Sequence, residues 1–168
     1  MSELRGDRVV LRPTGPRDVE RLRAIRREPE VLARWGTIED DFPLGDEPTA
    51  TRFTIFVGDE VAGMLQYTEE NEPDYRHAEI DIFLGPAFHN RGLGPDAMKT
   101  VIRHLVEDRG HHRVVLSVEA GNAQAIRAYE KTGFRRVGLM RLAGRVPGTR
   151  EWTDEYLMEW VIEPLLDE

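Results

Sequence analysis

The stretch that decides the fold is His89-Asn90-Arg91-Gly92-Leu93-Gly94, which follows an apolar, strand-like segment and leads into a helical pattern that starts at Pro95. Glycine has no Cβ atom, so a curled backbone can point several N–H groups at one anion. The positive end of the following helix adds to the attraction. This run therefore predicts a loop that binds phosphate.

Dinucleotide binding is an alternative role for this loop. Residues 92–97 fit the pattern G-x-G-x-x-A, and Glu119 lies where a ribose-binding acid is expected. A dinucleotide fold places the turn directly after its first strand and continues through several strand–helix units. Here residues 85–91 intervene and few residues follow Glu119. The sequence thus disfavours a dinucleotide, and a plain surface loop is the other alternative.

The composition limits the class of protein and of partner. The chain has 168 residues, 40% of them hydrophobic, which predicts one domain spanning residues 1–168. A net charge of −8 disfavours a nucleic-acid partner and favours a cationic substrate. There is no cysteine, and the two serines are Ser2 and Ser117, so a covalent Cys or Ser mechanism is disfavoured.

The N-terminal segment has no apolar signal core, and no window approaches the roughly 18 uncharged apolar residues that span a bilayer. We therefore expect a cytoplasmic protein with no membrane partner, as a monomer or homodimer.

Hydrophobic periodicity predicts a mixed α/β domain. The helical patterns are at 17–27, 29–35, 95–109 and 123–131. Residues 36–48 carry glycines, prolines and acids without periodicity and predict a mobile loop. The predicted strands are 8–12, 52–57, 61–67, 77–84, 113–118, 135–141 and 152–161.

Two motifs, taken in order, resemble the acetyl-CoA-binding core of the GCN5-related N-acetyltransferase (GNAT) family. They are Gly92-x-Gly94 after the 77–84 strand, and Asn122-x-x-Ala125-Ile126-Arg127-x-Tyr129-Glu130-Lys131-x-Gly133-Phe134. The likeness covers residues 77–134 closely, and the order of the remaining strands agrees. One position departs: the family often has Gln or Arg three residues before the first glycine, where this chain has His89.

The resemblance implies an α/β GNAT fold: a mixed, mostly antiparallel sheet with a central, splayed pair of parallel strands, flanked by helices. It also implies acetyl-CoA as the cosubstrate, with its pyrophosphate over the loop and its pantetheine arm in the gap between the splayed strands. The residues assigned to this ligand are Ile82, Phe83, Leu84, His89, Asn90, Arg91, Gly92, Leu93, Gly94, Pro95, Asn122, Ala125, Tyr129 and Lys131.

Acetyl transfer to an amine needs a group that removes a proton and a group that donates one. Tyr129 matches the family tyrosine that protonates the leaving thiolate. Asp81 and Glu79 lie two apart on one strand and so face the same side, where partial burial would raise a carboxylate pKa. Asp81 is the first candidate base and Glu79 the second. A backbone N–H near Leu84 or Gly85 is the candidate oxyanion donor, with direct transfer in a ternary complex.

The histidines are scattered, and we interpret the adjacent pair His111-His112 as surface residues, so we expect no metal site. Asn122 is also a good helix N-cap. Trp35 and Trp152 are candidates either for stacking on a ligand or for core packing.

The local pattern around Trp35, together with the 125–134 motif and Asp81, resembles the aminoglycoside 6′-N-acetyltransferase branch. The acceptor expected from it is a polycationic sugar in an acidic cleft. A protein N-terminus or lysine is the alternative, because branches acting on ribosomal proteins share a start like Val10-Leu11-Arg12-Pro13. A non-catalytic CoA-sensing module is a third hypothesis. The candidate substrate-binding residues are Trp35, Glu39, Asp40, Asp41, Asp81 and Asp154, with Asp46, Glu47 and Glu151 as further acids.

Overall fold

A computed structural model describes residues 2–163 of the chain. In that range, eight strands form one sheet in the order β1-β2-β3-β4-β5-β6-β8-β7. The strands are β1 Leu4–Arg5, β2 Val10–Pro13, β3 Ala50–Val57, β4 Glu60–Glu70, β5 His77–Leu84, β6 Arg113–Glu119, β7 Arg135–Arg145 and β8 Trp152–Val161. The helices are α1 Val19–Arg26, α2 Pro29–Trp35, α3 Leu93–Glu107 and α4 Ala123–Thr132.

The sheet is antiparallel except at its centre, where β5 and β6 run parallel. Their register covers only the pairs Ala78↔Val114 and Glu79↔Val115. Both strands continue for several residues beyond these pairs, so the remainder of β5 and β6 is not hydrogen-bonded together. The predicted mixed sheet with a splayed parallel pair flanked by helices is therefore confirmed.

The two faces of the sheet carry different helices, and the alternation along β5 explains why. Ala78 and Ile80 point into the main core with the apolar face of α3, including Ala97 and Val101. Phe83 points to the opposite face, where it packs with Leu22 and Ile25 of α1, Val31 of α2 and Met64 of β4. Glu79 and Asp81 are on the same face of β5 as Phe83, but they are exposed and are not covered by α1 and α2.

Most predicted elements are present, although several of their bounds differ. The short strand β1 was not predicted, α3 begins at Leu93 rather than Pro95, β7 extends to Arg145, and the first helical pattern divides into a 3-10 turn at Pro16–Asp18 and α1. Gly92 explains the earlier start of α3. Its φ of +73° lets the chain turn sharply into the helix, a conformation that favours glycine.

The interpretation of the His111-His112 pair as surface residues is wrong for His111, which is buried. His111 lies before β6 rather than within it, and its Nε2 is 2.7 Å from Oε2 of the buried Glu69 carboxylate. Arg109 donates two hydrogen bonds to the same carboxylate. This clasp joins the end of β4 to the turn that follows α3.

Within the described residues, no helix is both long and apolar enough to cross a lipid bilayer.

Candidate active site

The loop before α3 has the geometry of an anion site. Asn90 and Gly92 both have positive φ, +59° and +73°, which curls the backbone just before the helix. Among residues 2–163, the amides of Gly92, Leu93 and Gly94 donate to no backbone carbonyl. Free N–H groups at the start of a 15-residue helix attract a phosphate through hydrogen bonds and through the helix dipole.

The side chains of this loop turn toward the protein and leave the backbone available. His89 Nε2 is 2.8 Å from the Leu84 carbonyl oxygen and donates to it. The Gln124 side-chain amide of α4 donates to Asn90 Oδ1 at 2.5 Å. The histidine that departs from the family pattern therefore lies against the end of β5, and backbone amides remain the groups that face a ligand. Pro95 lies in the first turn of α3, where its missing N–H is not needed.

The backbone at the end of β5 identifies one candidate oxyanion donor. The amide of Gly85 donates to the Ala62 carbonyl of β4 at 2.8 Å, so it is not free to bind an oxyanion. This corrects the expectation for Gly85. Because backbone groups of successive strand residues point to opposite sides, the Leu84 amide is directed toward β6, where the register with that strand has ended. Leu84 remains the candidate.

The N-terminus of α4 has a side-chain cap. The side chain of Asn122 accepts a hydrogen bond from the Ala125 amide at 3.3 Å, so the capping role expected for Asn122 is confirmed. Ala125 packs against the main core, whereas Lys131 is exposed in the last turn of α4. Contacts of Asn122, Ala125 and Lys131 with a pantetheine arm stay predictions.

Tyr129 of α4 and Asp81 of β5 are coupled through the charge of Asp81. The ring of Tyr129 packs edge-on against Phe134, with 6.2 Å between centroids. Burial, followed by the charge of Asp81, raises the pKa of Tyr129 to about 12. Asp81 remains accessible to solvent, yet the surrounding protein displaces enough water for burial to raise the pKa of its carboxyl group, an effect that the Gln66 amide opposes. The pair thus combines a protonated phenol with a carboxylate that accepts a proton readily.

Further carboxylates share this face of the sheet. Glu79 lies opposite Val115 in the register of β5 with β6. Ser117 and Glu119 follow Val115 on the same face of β6, and Glu119 lies opposite Glu155 of β8. Burial and then the charge of Asp81 raise the pKa of Glu79. Burial and the charges of Glu119 and Asp81 likewise raise the pKa of Glu155.

These acids differ in whether the protein supplies a counter-ion. Glu119 is paired with Arg34 of α2 at 2.6 Å. Glu79, Asp81 and Glu155 have no salt-bridge partner among the described residues. Crowded carboxylates without a partner cation form a site that a bound ammonium group would stabilise.

Sequence reasoning missed Glu155 and chose Asp154 instead. The Asp154 carboxylate accepts a hydrogen bond from the Leu142 amide at 2.9 Å and holds the irregular part of β7, where Leu142 has a φ of +51°. Gly144 lies over the Glu155 carboxylate, so that a Cβ there would collide with it. The Asp154 side chain therefore stabilises β7, whereas Glu155 lies on the same face of the sheet as Glu79 and Glu119. The alternation of β8 would have identified Glu155 had its pairing with β6 been known.

A second cleft, of about 280 Å³, lies beside this carboxylate group. Its lining includes Glu39, Asp41, Asp46 and Glu47 of the 36–48 loop and Gln66 of β4, the residue opposite Asp81. Asp40 does not line this cleft. Arg26 and Arg52 also line the cleft, so it combines acids of this loop with two cations, and the acidic substrate pocket expected from the sequence stays a prediction.

Arginines of α1 hold this loop in place, which the sequence did not predict. The guanidinium of Arg26 is buried, donates to the carbonyls of Gly36 and Thr37, and lies over the rings of Trp35 and Phe42. Burial lowers the pKa of Arg26. Trp35 also packs edge-on against Phe83. Trp35 therefore lines the cleft from a packed position, whereas Trp152 is exposed and does not belong to the core.

The chain is similar to proteins of known type. The model of a family described as "Acetyltransferase (GNAT) family" matches residues 19–134. The L-amino acid N-acetyltransferase AaaT of Escherichia coli K12 is 28% identical over 159 residues, which cover 89% of this chain and 96% of that protein.

Two further proteins extend the comparison. The spermidine N(1)-acetyltransferase of Escherichia coli K12 is 26% identical over 135 residues, 75% of this chain and 72% of that protein. The crystal structure of spermidine N-acetyltransferase from Vibrio cholerae in complex with CoA and spermine superimposes with a TM-score of 0.77. It is 17% identical and covers 92% of this chain and 95% of that chain.

Proposed function

The chain belongs to the acetyltransferase (GNAT) family, whose members use acetyl-CoA, and from this premise we propose that its acceptor is a primary amine of a cationic small molecule, an aminoglycoside first. The observation that carries the proposal is the group of carboxylates Glu79, Asp81 and Glu155 around the splayed strands, without partner cations among the described residues and with raised pKa values.

Asp81 has the properties of the group that prepares the amine. An ammonium group cannot attack a thioester until it loses a proton, and a carboxylate with a raised pKa is a better proton acceptor than an ordinary one. The carboxylate that takes up this proton must also lie near the nitrogen of the acceptor amine. Asp81 lies in the middle of β5, just before the residues Ile82 and Leu84 that border the gap.

Tyr129 has the properties of the proton donor. Acetyl-CoA supplies the acetyl thioester, and a pKa of about 12 keeps the Tyr129 phenol protonated at neutral pH. A neutral phenol can donate its proton directly to the departing thiolate, without first taking up a proton from solvent. The Leu84 amide is the candidate for stabilising negative charge on the acetyl oxygen.

The charge of the site favours a polycation over a zwitterion. The similar proteins of Escherichia coli are named for L-amino acids and for spermidine, and both names describe small primary amines. A free amino acid needs a cation for its carboxylate, but Arg34 is already paired with Glu119, and the cleft residues Arg26 and Arg52 donate to carbonyls of the 36–48 loop. An acceptor with several ammonium groups can pair both with the carboxylates Glu79, Asp81 and Glu155 and with acids of the cleft such as Glu39 and Asp41.

The test is an assay of free CoA released from acetyl-CoA with different amines at equal concentration. The panel holds kanamycin-type aminoglycosides, spermidine, L-amino acids, lysine-rich peptides and N-terminal peptides. We expect the highest kcat/KM with the aminoglycoside, decreasing clearly between ~20 and ~300 mM NaCl because exposed charges are screened over roughly 8–10 Å. Saturable turnover with peptides alone would establish the protein N-acetyltransferase alternative. Acetyl-CoA binding without turnover of any amine would establish the CoA-sensing module.

A further inference from the structure

The turn between β1 and β2 is fixed to the start of α3 by one carboxylate. Asp96, in the first turn of α3, accepts hydrogen bonds from the amides of Asp7, Arg8 and Val9 at 2.9, 2.8 and 3.0 Å. A Cβ on Gly6 would lie 2.6 Å from Asp96 Oδ1, so this position has no room for a side chain. Three converging N–H groups give the turn one orientation relative to the helix.

This arrangement changes the charge presented to an anion at the loop. A free carboxylate in the first helical turn would repel phosphate, but Asp96 is directed to the three amides of the turn. The same turn directs the Arg8 guanidinium onto the loop, where it donates to the Arg91 carbonyl. A Cβ on Gly92 would lie 2.7 Å from Arg8 Nη2, so the cation lies directly against the glycine that begins the anion site.

The Arg8 guanidinium has more N–H donors than its hydrogen bond to the Arg91 carbonyl uses. A guanidinium carries five N–H groups in a planar fork and binds phosphate oxygens with two parallel hydrogen bonds. The Arg91 carbonyl occupies part of that capacity. In a chain with a net charge of −8, a cation held at the free amides of Gly92 and Leu93 strongly affects the local potential.

We propose that Arg8 binds the 5′-pyrophosphate of the acetyl-CoA cosubstrate and that Asp96 is the residue that positions it. The inference rests on the proposed function insofar as it requires acetyl-CoA at this loop. Arg8 precedes residue 19, where the match to the family model begins, so this role is not part of that match. The substrate-binding surface for CoA then includes the β1–β2 turn.

The deciding experiment measures the Kd of acetyl-CoA by isothermal titration calorimetry for the full chain and for Arg8→Gln. We expect binding to weaken about 10- to 100-fold, the size of a lost charge-assisted hydrogen bond. Arg5→Gln is the matched control. It removes the same charge from an exposed arginine that pairs with Glu3, and it should leave the Kd unchanged.

A parallel titration with 3′-dephospho-CoA identifies the phosphate. A pyrophosphate contact predicts the same fold-loss for Arg8→Gln with CoA and with dephospho-CoA. A loss confined to CoA that carries the 3′-phosphate would overturn the assignment to the pyrophosphate. If the wild type binds acetyl-CoA and Arg8→Gln binds it equally well, the role of Arg8 is overturned while the proposed function stands. If the wild type does not bind acetyl-CoA, the proposed function itself is overturned.

The positioning role of Asp96 is tested with a double-mutant cycle. Asp96→Asn places an amide donor against the N–H groups of the turn and should weaken acetyl-CoA binding in the wild-type background. In the Arg8→Gln background the same change should add little, because the residue through which it acts is gone. Additive losses in Kd would show that Asp96 affects binding independently of Arg8 and would overturn this part of the inference.

Discussion

The negative charge of Asp81 on β5 acts on the phenol of Tyr129 on α4, and together with burial of the phenol, the larger cause, it raises the pKa of Tyr129 to about 12. A proton donor and a proton acceptor therefore interact electrostatically near the point where β5 and β6 separate.

Replacing Tyr129 with phenylalanine removes the proposed proton donor and keeps the ring that packs on Phe134. We expect kcat to decrease about 10- to 1000-fold while the Kd of acetyl-CoA stays nearly unchanged. Steady-state kinetics together with calorimetry measure both. Because the phenol titrates near 12, the wild type should also show no alkaline limb from this residue at moderate pH. An unchanged kcat would assign Tyr129 to packing alone.

Replacing Asp81 with asparagine tests the base through its pH profile. The raised pKa of Asp81 means that the carboxyl group takes up its proton at a higher pH than an ordinary aspartate. Wild-type kcat/KM should therefore decrease as the pH falls through this raised pKa, and Asp81→Asn should have a much lower kcat/KM without this acidic limb. If the limb persists in Asp81→Asn, Glu79 is the next candidate and the equivalent profile of Glu79→Gln decides.

Glu155 is predicted to hold an ammonium group of the acceptor. Glu155→Gln should increase KM for a polycationic amine several-fold to about tenfold, as expected for one partly exposed ionic contact, with little effect on the Kd of acetyl-CoA. Glu159→Gln is the control, because Glu159 lies on the same face of β8 but is neutralised by Arg113 and Arg135. Equal KM values for the two variants would remove Glu155 from the acceptor site.

The clasp around Glu69 predicts a pH-dependent stability without an effect on catalysis. Burial alone would raise the pKa of Glu69, but hydrogen bonds from His111 and Arg109 outweigh it and hold this pKa below the ordinary value. A lowered pKa means that the contribution to stability is present above the ordinary carboxyl pKa and is lost as the pH falls through the lowered one.

Glu69→Gln should accordingly reduce the free energy of unfolding by about 1–3 kcal/mol at neutral pH, and the difference from wild type should shrink in acid. Urea unfolding at several pH values measures this difference. Glu70→Gln, a change at the exposed neighbouring position, serves as the control. A pH-independent difference between Glu69→Gln and wild type would contradict the linkage.

Much of the fold follows from local patterns in the sequence. The alternation along β5 correctly predicts that Glu79 and Asp81 share one face, because neighbouring strand residues always point to opposite sides. The glycines of the loop predict its curled backbone because positive φ is easiest for glycine. These features depend only on residues close together in the chain.

The errors concern contacts between distant residues. The face of Glu155 could not be predicted, because a shift of one residue reverses the face and the register of β8 depends on its pairing with β6. His111 is buried because Glu69, 42 residues away in sequence, accepts its hydrogen bond. Arg8 and Asp96 lie 88 residues apart, so their role at the phosphate loop has no local signal.

The most direct test of the central claim is identification of the acetylated product by mass spectrometry after incubation of an aminoglycoside with acetyl-CoA and the enzyme. Wild type and the variants Asp81→Asn and Tyr129→Phe are compared at equal concentration. The account predicts a singly N-acetylated aminoglycoside with the wild type and at least about tenfold slower formation with each variant. Acetylation of peptides but not of the aminoglycoside by the wild type, or product formation by both variants at the wild-type rate, would contradict it.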